Sequence, residues 1–187
     1  MIIFVNGCMA AGKSKWIIEE ASSEKYYTVD AFKPMSQNRG GDFIVSRGTD
    51  KKLPCKRVMD ITEVLGSKAD CVIIDEYQFF NSDQLKYILQ ELKKKPFKTV
   101  IVAGLDKKDG LNYWTNYHIV KEFADKEINL KAVCDNCKRL NATISRLAKI
   151  GKDGSYSTTK GAEYEILCQA CYDMKNLGKK NEKRMGN

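Results

Sequence analysis

The stretch Ile2-Ile3-Phe4-Val5-Asn6-Gly7-Cys8-Met9-Ala10-Ala11-Gly12-Lys13-Ser14 (IIFVNGCMAAGKS) decides the fold. Residues 2–5 are a short apolar run that stops at a Gly-rich turn. From Gly7 the chain satisfies the phosphate-loop pattern G-x-x-x-x-G-K-[ST]. Successive backbone N–H groups in such a turn, opening into a helix N-terminus, form a cradle for an anion. Gly7, Cys8, Met9, Ala10, Ala11 and Gly12 would form that cradle around a nucleotide. Lys13 would reach its β- and γ-phosphates, and the Ser14 hydroxyl would ligate Mg²⁺. A strand before the loop and a helix after it are the context this motif requires. The spacing of Trp16, Ile17 and Ala21 predicts that helix from about Lys13 into the low twenties.

Working outward, Tyr26 to Phe32 reads as a second strand. The segment from Lys33 to Pro54 carries Gly, Asn and Pro punctuation with little periodicity and reads mainly as loop. Cys71-Val72-Ile73-Ile74 is a compact apolar run that ends abruptly at Asp75-Glu76, as a buried parallel strand would. Asn81 or Ser82 then caps a helix with Leu85, Ile88, Leu89 and Leu92 on one apolar stripe. Thr99 to Val102 repeats the buried-strand pattern and runs into Ala103-Gly104-Leu105-Asp106. Alternating strands and helices over residues 1–130 predict an α/β fold with a mostly parallel sheet. The character changes near residue 131. A Cys-bounded, turn-rich segment follows to about residue 175, and a basic tail, expected to be disordered, occupies 176–187.

At 187 residues the chain has room for one good core and a small appended module. No run approaches a membrane span and the N-terminus enters a strand directly, so a cytoplasmic setting is expected, with no membrane partner. The net charge of +8 is partly local, because the last ten residues hold four Lys or Arg against one Glu. Charge alone therefore argues weakly for a nucleic-acid partner.

Two further constellations carry chemistry. In Asp75-Glu76-Tyr77-Gln78-Phe79-Phe80, an acid at the end of a buried strand can hold the water shell of a phosphate-bound metal. Asp75 fits that role. Glu76, one residue on, can take a proton from an attacking alcohol or water, and the residues alone leave both acceptors open. Cys134-x-x-Cys137 and Cys168-x-x-Cys171 are paired knuckles about thirty residues apart, suited to one structural, tetrahedral Zn²⁺. Cys8, Cys55 and Cys71 lie outside them and read as unpaired thiols. His118 lies on a predicted helix, where a surface or packing role is expected. Trp114 and Tyr164 suit a core or a stacking surface equally.

Taken together, these motifs resemble the type II thymidine kinases, the class with a zinc-bound lasso. GCMAAGKS matches that family's G-x-M-x-x-G-K-[ST], DEYQFF its D-E-x-Q-F-F, and Ala103 to Asp106 its A-[AG]-L-D. Leu130 to Cys137 matches L-x-A-V-C-x-x-C, Arg146-Leu147 a following Arg-Leu, and Tyr164 to Cys171 the Y-x-x-x-C-x-x-C ending. The resemblance implies a RecA-like P-loop domain over 1–130 and a zinc-binding lasso domain over 131–175. It further implies transfer of the γ-phosphoryl group of ATP to the 5′-hydroxyl of thymidine or deoxyuridine. Glu76 would be the general base, with Lys13 and Arg39 assisting at the phosphates and Asp75 and Ser14 supporting Mg²⁺. Met9, Phe79, Leu105, Trp114 and Tyr164 would line the nucleoside pocket. Cys134, Cys137, Cys168 and Cys171 would hold structural Zn²⁺ at the lasso's ends. Members of the family are commonly homotetramers.

The chain departs from that family at several positions. The Asp of K-P-x-x-D-x-R-Y is Gln37 here and its Tyr is Gly40. The usual [ST]-H reads Ser46-Arg47. A Phe often found after A-[AG]-L-D is Asp109, and the lasso Thr near T-x-R-L is Ile144, between Thr143 and Ser145. These changes gather around nucleoside recognition. A different class of function, a nucleic-acid-stimulated P-loop ATPase with a zinc knuckle, would draw on the basic charge and the four cysteines. A chain of this length lacks room for the further motifs or second domain of helicase-like motors. A non-catalytic nucleotide binder is a third reading, motivated by Gln37 and Asp109.

Overall fold

In the computed structural model, which describes residues 1–151 and 162–176, the opening apolar run is the strand β1 (Ile2–Gly7). It leads through the Gly-rich turn into α1 (Lys13–Ala21). There follow β2 (Val29–Pro34), a hairpin of β3 (Phe43–Val45) and β4 (Lys52–Pro54), and β5 (Lys56–Val58). Next come β6 (Cys71–Ile74), α2 (Ser82–Lys93) and β7 (Thr99–Leu105). After the short β8 (Lys107–Asp109) and β9 (Asn112–Tyr113), α3 (Thr115–Phe123) and β10 (Lys126–Leu130) follow. The rest comprises β11 (Ala132–Val133), β12 (Leu140–Ala142), β13 (Ile144–Lys149) and β14 (Glu163–Leu167). Residues 169–176 are helical.

The chain forms two compact units. The first holds residues 1–7, 12–106 and 114–130. Its centre is a six-stranded sheet in the order β10-β1-β7-β6-β2-β5, every neighbouring pair parallel. Because side chains alternate along a strand, a run that is apolar at every position must be covered on both faces. Ile2 and Phe4 join Val72, Ile74, Val100 and Val102 in one core, against the α2 stripe Leu85, Ile88, Leu89, Leu92 and against Tyr117 and Val120 of α3. Ile3 and Val5 join Ile73, Ile101 and Ala103 in the other, against Ile17 and Ile18 of α1 and Ile44 of the hairpin. The parallel α/β fold expected from the sequence is thus the fold observed. Among the described residues, no helix is long and apolar enough to cross a membrane.

Two local expectations need correction. The strand expected over 26–32 begins only at Val29, because the Asp70 carboxylate takes the amides of Tyr27 (2.9 Å) and Thr28 (2.7 Å). Within the expected loop 33–54, Phe43–Val45 pairs antiparallel with Lys52–Pro54, three residues against three. Runs that short show no readable periodicity. What holds them is the burial of Ile44 and the Lys52 ammonium 4.5 Å from the centre of the Phe43 ring. Asn81 is the cap of α2, its Oδ1 accepting from Asp83 N and Gln84 N.

The second unit holds residues 8–11, 107–113 and the described part of 131–187. Among its described residues are three antiparallel two-stranded pairs: β8 with β9, β11 with β12, and β13 with β14. The buried apolar residues described there are few and mostly small, among them Ala132, Ala142, Ile144, Ile166 and Leu167, along with Cys134, Cys168 and Cys171. The basic tail read at 176–187 lies, from residue 177, outside the described residues.

Candidate active site and cysteine cluster

In an all-parallel sheet every strand ends at the same edge, and that edge is where α/β folds bind ligands. Gly7, Asp75 and Leu105 all stand there. Gly12, at φ 87°, caps α1 in the left-handed region that its missing Cβ makes accessible, and Ala10 takes φ 59°. Lys13 donates from Nζ to the Gly7 carbonyl at 2.9 Å, which folds its ammonium back over the loop's entrance. Ser14 is half-buried in the first turn of α1.

Asp75 is buried at the end of β6, where burial, and then the neighbouring Glu76 carboxylate, push its pKa up to about 7. The Glu76 backbone N–H, Lys13 and Lys33 oppose that rise. Glu76 is half-buried and takes φ 55°, ψ 40°, a left-handed conformation costing roughly 1–2 kcal/mol for a residue with a Cβ. Gln78, buried, holds that carboxylate: its Nε2 donates to Glu76 Oε2 at 2.6 Å while its Oε1 accepts from Leu105 N at 3.1 Å. The space for Gln78 exists because residue 104 is glycine. A Cβ there would lie 2.1 Å from Gln78 Oε1 and 2.6 Å from the Tyr77 ring. Tyr77 OH in turn donates to the Leu105 carbonyl at 2.7 Å.

Phe79 is 43% exposed and meets Trp114 edge to face, ring centres 5.5 Å apart. Leu105 is half-buried at the end of β7. Asp75, Glu76, Phe79 and Leu105 thus fall on one sheet edge and its adjoining turn, and Trp114, the cap of α3, meets them at Phe79. Arg39 is exposed, its Nη2 3.5 Å from the Val45 carbonyl. Its backbone is better fixed than its side chain, since buried Lys33 donates from Nζ to the carbonyls of Arg39 (2.8 Å) and Phe43 (2.9 Å). Gln78 and Lys33 were not singled out as site residues from the sequence. The signal for Gln78 was a polar side chain between aromatics after a buried strand; Lys33, at the start of a segment read as loop, gave none.

Cys8, Met9, Ala10 and Ala11 belong to the second unit. There Met9 N donates to Ser145 Oγ at 2.9 Å and Cys8 Sγ lies 3.4 Å from the Ala142 carbonyl. Tyr164 is half-buried on β14, opposite Leu147 in register. His118 is exposed on α3, in the surface role expected.

The four cysteine sulfurs Cys134, Cys137, Cys168 and Cys171 lie within 4.8 Å of one another, with Cys137 and Cys168 at 3.8 Å. A tetrahedral zinc with Zn–S bonds of about 2.3 Å requires sulfur separations near 3.8 Å, so the set fits one ion. Backbone donors already face these sulfurs. Burial raises the Cys134 thiol, but N–H groups of Cys137, Cys168 and Asn136 outweigh it and hold the pKa at about 6. Asn136 Nδ2 lies 3.3 Å from Cys171 Sγ. The first knuckle closes by Lys138 N to Cys134 O (2.9 Å), with Lys138 at φ 61°. Asp135 ties it to β14 through its own N–H, donated to Ile166 O at 2.8 Å, and through its Oδ2, which accepts Ile166 N at 2.7 Å.

A family model described as thymidine kinase matches residues 1–172. The chain belongs to the thymidine kinase family. On that ground it is a nucleoside kinase. Relatives named thymidine kinase match over most of both chains. One from Pseudothermotoga lettingae is 28% identical over 87% of this chain and 80% of its own. One from Mesoplasma florum is 29% identical over 91% and 90%, and one from Ureaplasma urealyticum 32% over 91% and 78%. A Bacteroides Pif1 helicase bound to single-stranded DNA overlaps 68% of this chain and 38% of its own at 20% identity and a TM-score of 0.37, too slight a likeness to indicate a shared fold.

Proposed function

We propose that this kinase transfers the γ-phosphoryl group of ATP to the 5′-hydroxyl of thymidine or deoxyuridine, giving the nucleoside monophosphate and ADP. The observation that carries this reading is the Glu76 carboxylate, oriented by Gln78 at the sheet edge where Asp75 and the Lys13 loop also end. In the proposed reaction Glu76 accepts the 5′-OH proton as the O5′–Pγ bond forms. The bond from Pγ to the bridging oxygen breaks, and its electron pair leaves with ADP. The backbone N–H groups from Gly7 to Gly12 bind the phosphates, and Lys13 and Arg39 neutralise charge on the group in transfer. Ser14 and Asp75 are the residues that would hold Mg²⁺, which supplies further charge neutralisation when bound. A cation beside Asp75 favours its ionised form against the burial that raises its pKa.

Phe79, Leu105 and Trp114 supply an apolar surface suited to a base, and Met9 and Tyr164 are proposed as further nucleoside-binding residues. Gln37, Arg47 and Asp109 are where preference among nucleosides would be set. The four cysteines would hold a structural Zn²⁺, outside the chemistry. The proposed assembly is a homotetramer in the cytoplasm.

The test is incubation of the purified protein with MgATP and a panel of nucleosides, with assay for nucleoside monophosphate. Thymidine monophosphate is expected, and Glu76→Gln should lower turnover roughly 10²–10⁴-fold while still binding ATP. Wild-type turnover in that variant would move the base elsewhere. ADP release stimulated by DNA, without a nucleoside product, would replace the kinase reading with a nucleic-acid-stimulated ATPase.

A further inference from the structure

Glu76 stands at the start of a five-residue turn, 76–80, whose left-handed first residue persists only if its surroundings over-determine it. The backbone contributes Phe79 N to Glu76 O (3.1 Å) and a longer Phe80 N to Tyr77 O (3.3 Å), and the Tyr77 and Gln78 side chains tie the turn to Leu105. Further support comes from α3. Asn116 is 3% exposed, and its Nδ2 donates one hydrogen to Tyr77 O at 3.0 Å and the other to Phe80 O at 2.9 Å. Its Oδ1 accepts from Ser82 Oγ at 2.6 Å. Asparagine is a poor choice for a buried helix face unless its amide is fully bonded, and here both donors and the acceptor are used. The two carbonyls, which can only accept, fix which end of the amide is which, and the Ser82 hydroxyl then donates to the oxygen at the other end.

We infer that Asn116, locked by Ser82, is a positioning residue: it holds the 76–80 turn, and through it the Glu76 carboxylate, in the geometry for proton transfer. It touches neither reacting group. The catalytic half of this inference rests on the proposed kinase reaction, whereas the pinning of the turn stands on contacts alone. Gln78 orients the carboxylate from the side-chain end, and Asn116 fixes the backbone that carries it.

Three variants test it. Asn116→Asp keeps the shape and the acceptor for Ser82 but removes both donors. Asn116→Ala removes the whole group, and Ser82→Ala leaves both donors but takes away the hydroxyl that holds the amide oxygen. Hydrogen exchange in the full chain should quicken at the Phe79 and Phe80 amides by about tenfold in the two Asn116 variants and less in Ser82→Ala, while Leu85, Ile88 and Leu89 keep wild-type rates. In the nucleoside assay kcat should fall roughly 10–100-fold in the Asn116 variants, with KM for both substrates within about threefold. Unchanged exchange at Phe79 and Phe80, or equal acceleration throughout α2, overturns the pin whether or not the protein phosphorylates thymidine. Faster exchange at the turn with unchanged kcat overturns the link to Glu76. A wild type that makes neither thymidine nor deoxyuridine monophosphate overturns the proposed reaction and that link with it, and the exchange pattern still decides the pin.

Discussion

The two units of this chain are built on opposite principles. The first buries two apolar layers on a six-stranded parallel sheet, with Ile73, Ile101, Leu85, Ile88 and Leu89 fully removed from water. The described residues of the second form three short strand pairs, with a few small buried residues and four sulfurs within 4.8 Å. Where apolar burial among the described residues is this slight, the proposed thiolate-bound metal would be a further source of stability. The difference teaches where each unit is vulnerable: the sheet to holes in its core, the cysteine unit to loss of a single ligand.

The largest expected effect breaks the second side of this contrast. The purified protein should carry about one zinc per chain, and Cys134→Ala should carry little. Binding free energies of ~10–16 kcal/mol for structural zinc at neutral pH mean that the variant should lose protection across β11 to β14 in hydrogen exchange. Protection in β1, β6 and β7 should survive. A zinc-free protein with β11 to β14 fully protected would remove the metal from the account.

The converse experiment is Leu89→Ala. A fully buried leucine in α2 should cost ~2–5 kcal/mol of unfolding free energy, read from denaturant titration of the sheet unit. Zinc content should stay at the wild-type level. Loss of metal in this variant would show that the two units do not answer to separate sources of stability.

The contrast in construction is also why the two units were not equally legible. Ile2 to Val5, Cys71 to Ile74 and Thr99 to Val102 are apolar at every position, and that pattern fits only a strand covered on both faces, so the parallel fold could be read directly. The cysteines were legible through spacing, which needs no periodicity. The β3–β4 hairpin was not, because Phe43-Ile44-Val45 is too short to declare a period. Asp75 and Glu76 were visible as acids at the end of a buried strand. The residues that set the geometry of Glu76 were not: Gln78 and Asn116 act through amides and carbonyls distant in sequence. An asparagine beside Tyr117 and four residues before Val120 lies on a buried stripe, and that mismatch was the only sign that it must have a partner.

The smallest expected effect sharpens the picture of the sheet unit at its surface. Asp70 accepts from Tyr27 N, Thr28 N and Thr28 Oγ1, and these bonds, the Tyr27 amide first, hold its pKa down to about 2. A carboxylate depressed in the folded state stabilises above its ordinary pKa of about 3.9, and that contribution fades as pH falls toward the folded value. The Tm difference between wild type and Asp70→Asn should therefore be widest above pH 5 and close toward pH 2. A difference that stays constant across that range would mean the charge contributes nothing.

One consequence of the turn after β6 reaches beyond these experiments. The backbone at Glu76 is one that glycine would occupy freely and that a side chain occupies at a cost. A library of this gene screened for heat resistance alone would therefore tend to enrich glycine at position 76, trading the proposed proton acceptor for a more relaxed chain. A glutamate in that conformation is what selection for turnover, at some expense of stability, would leave behind.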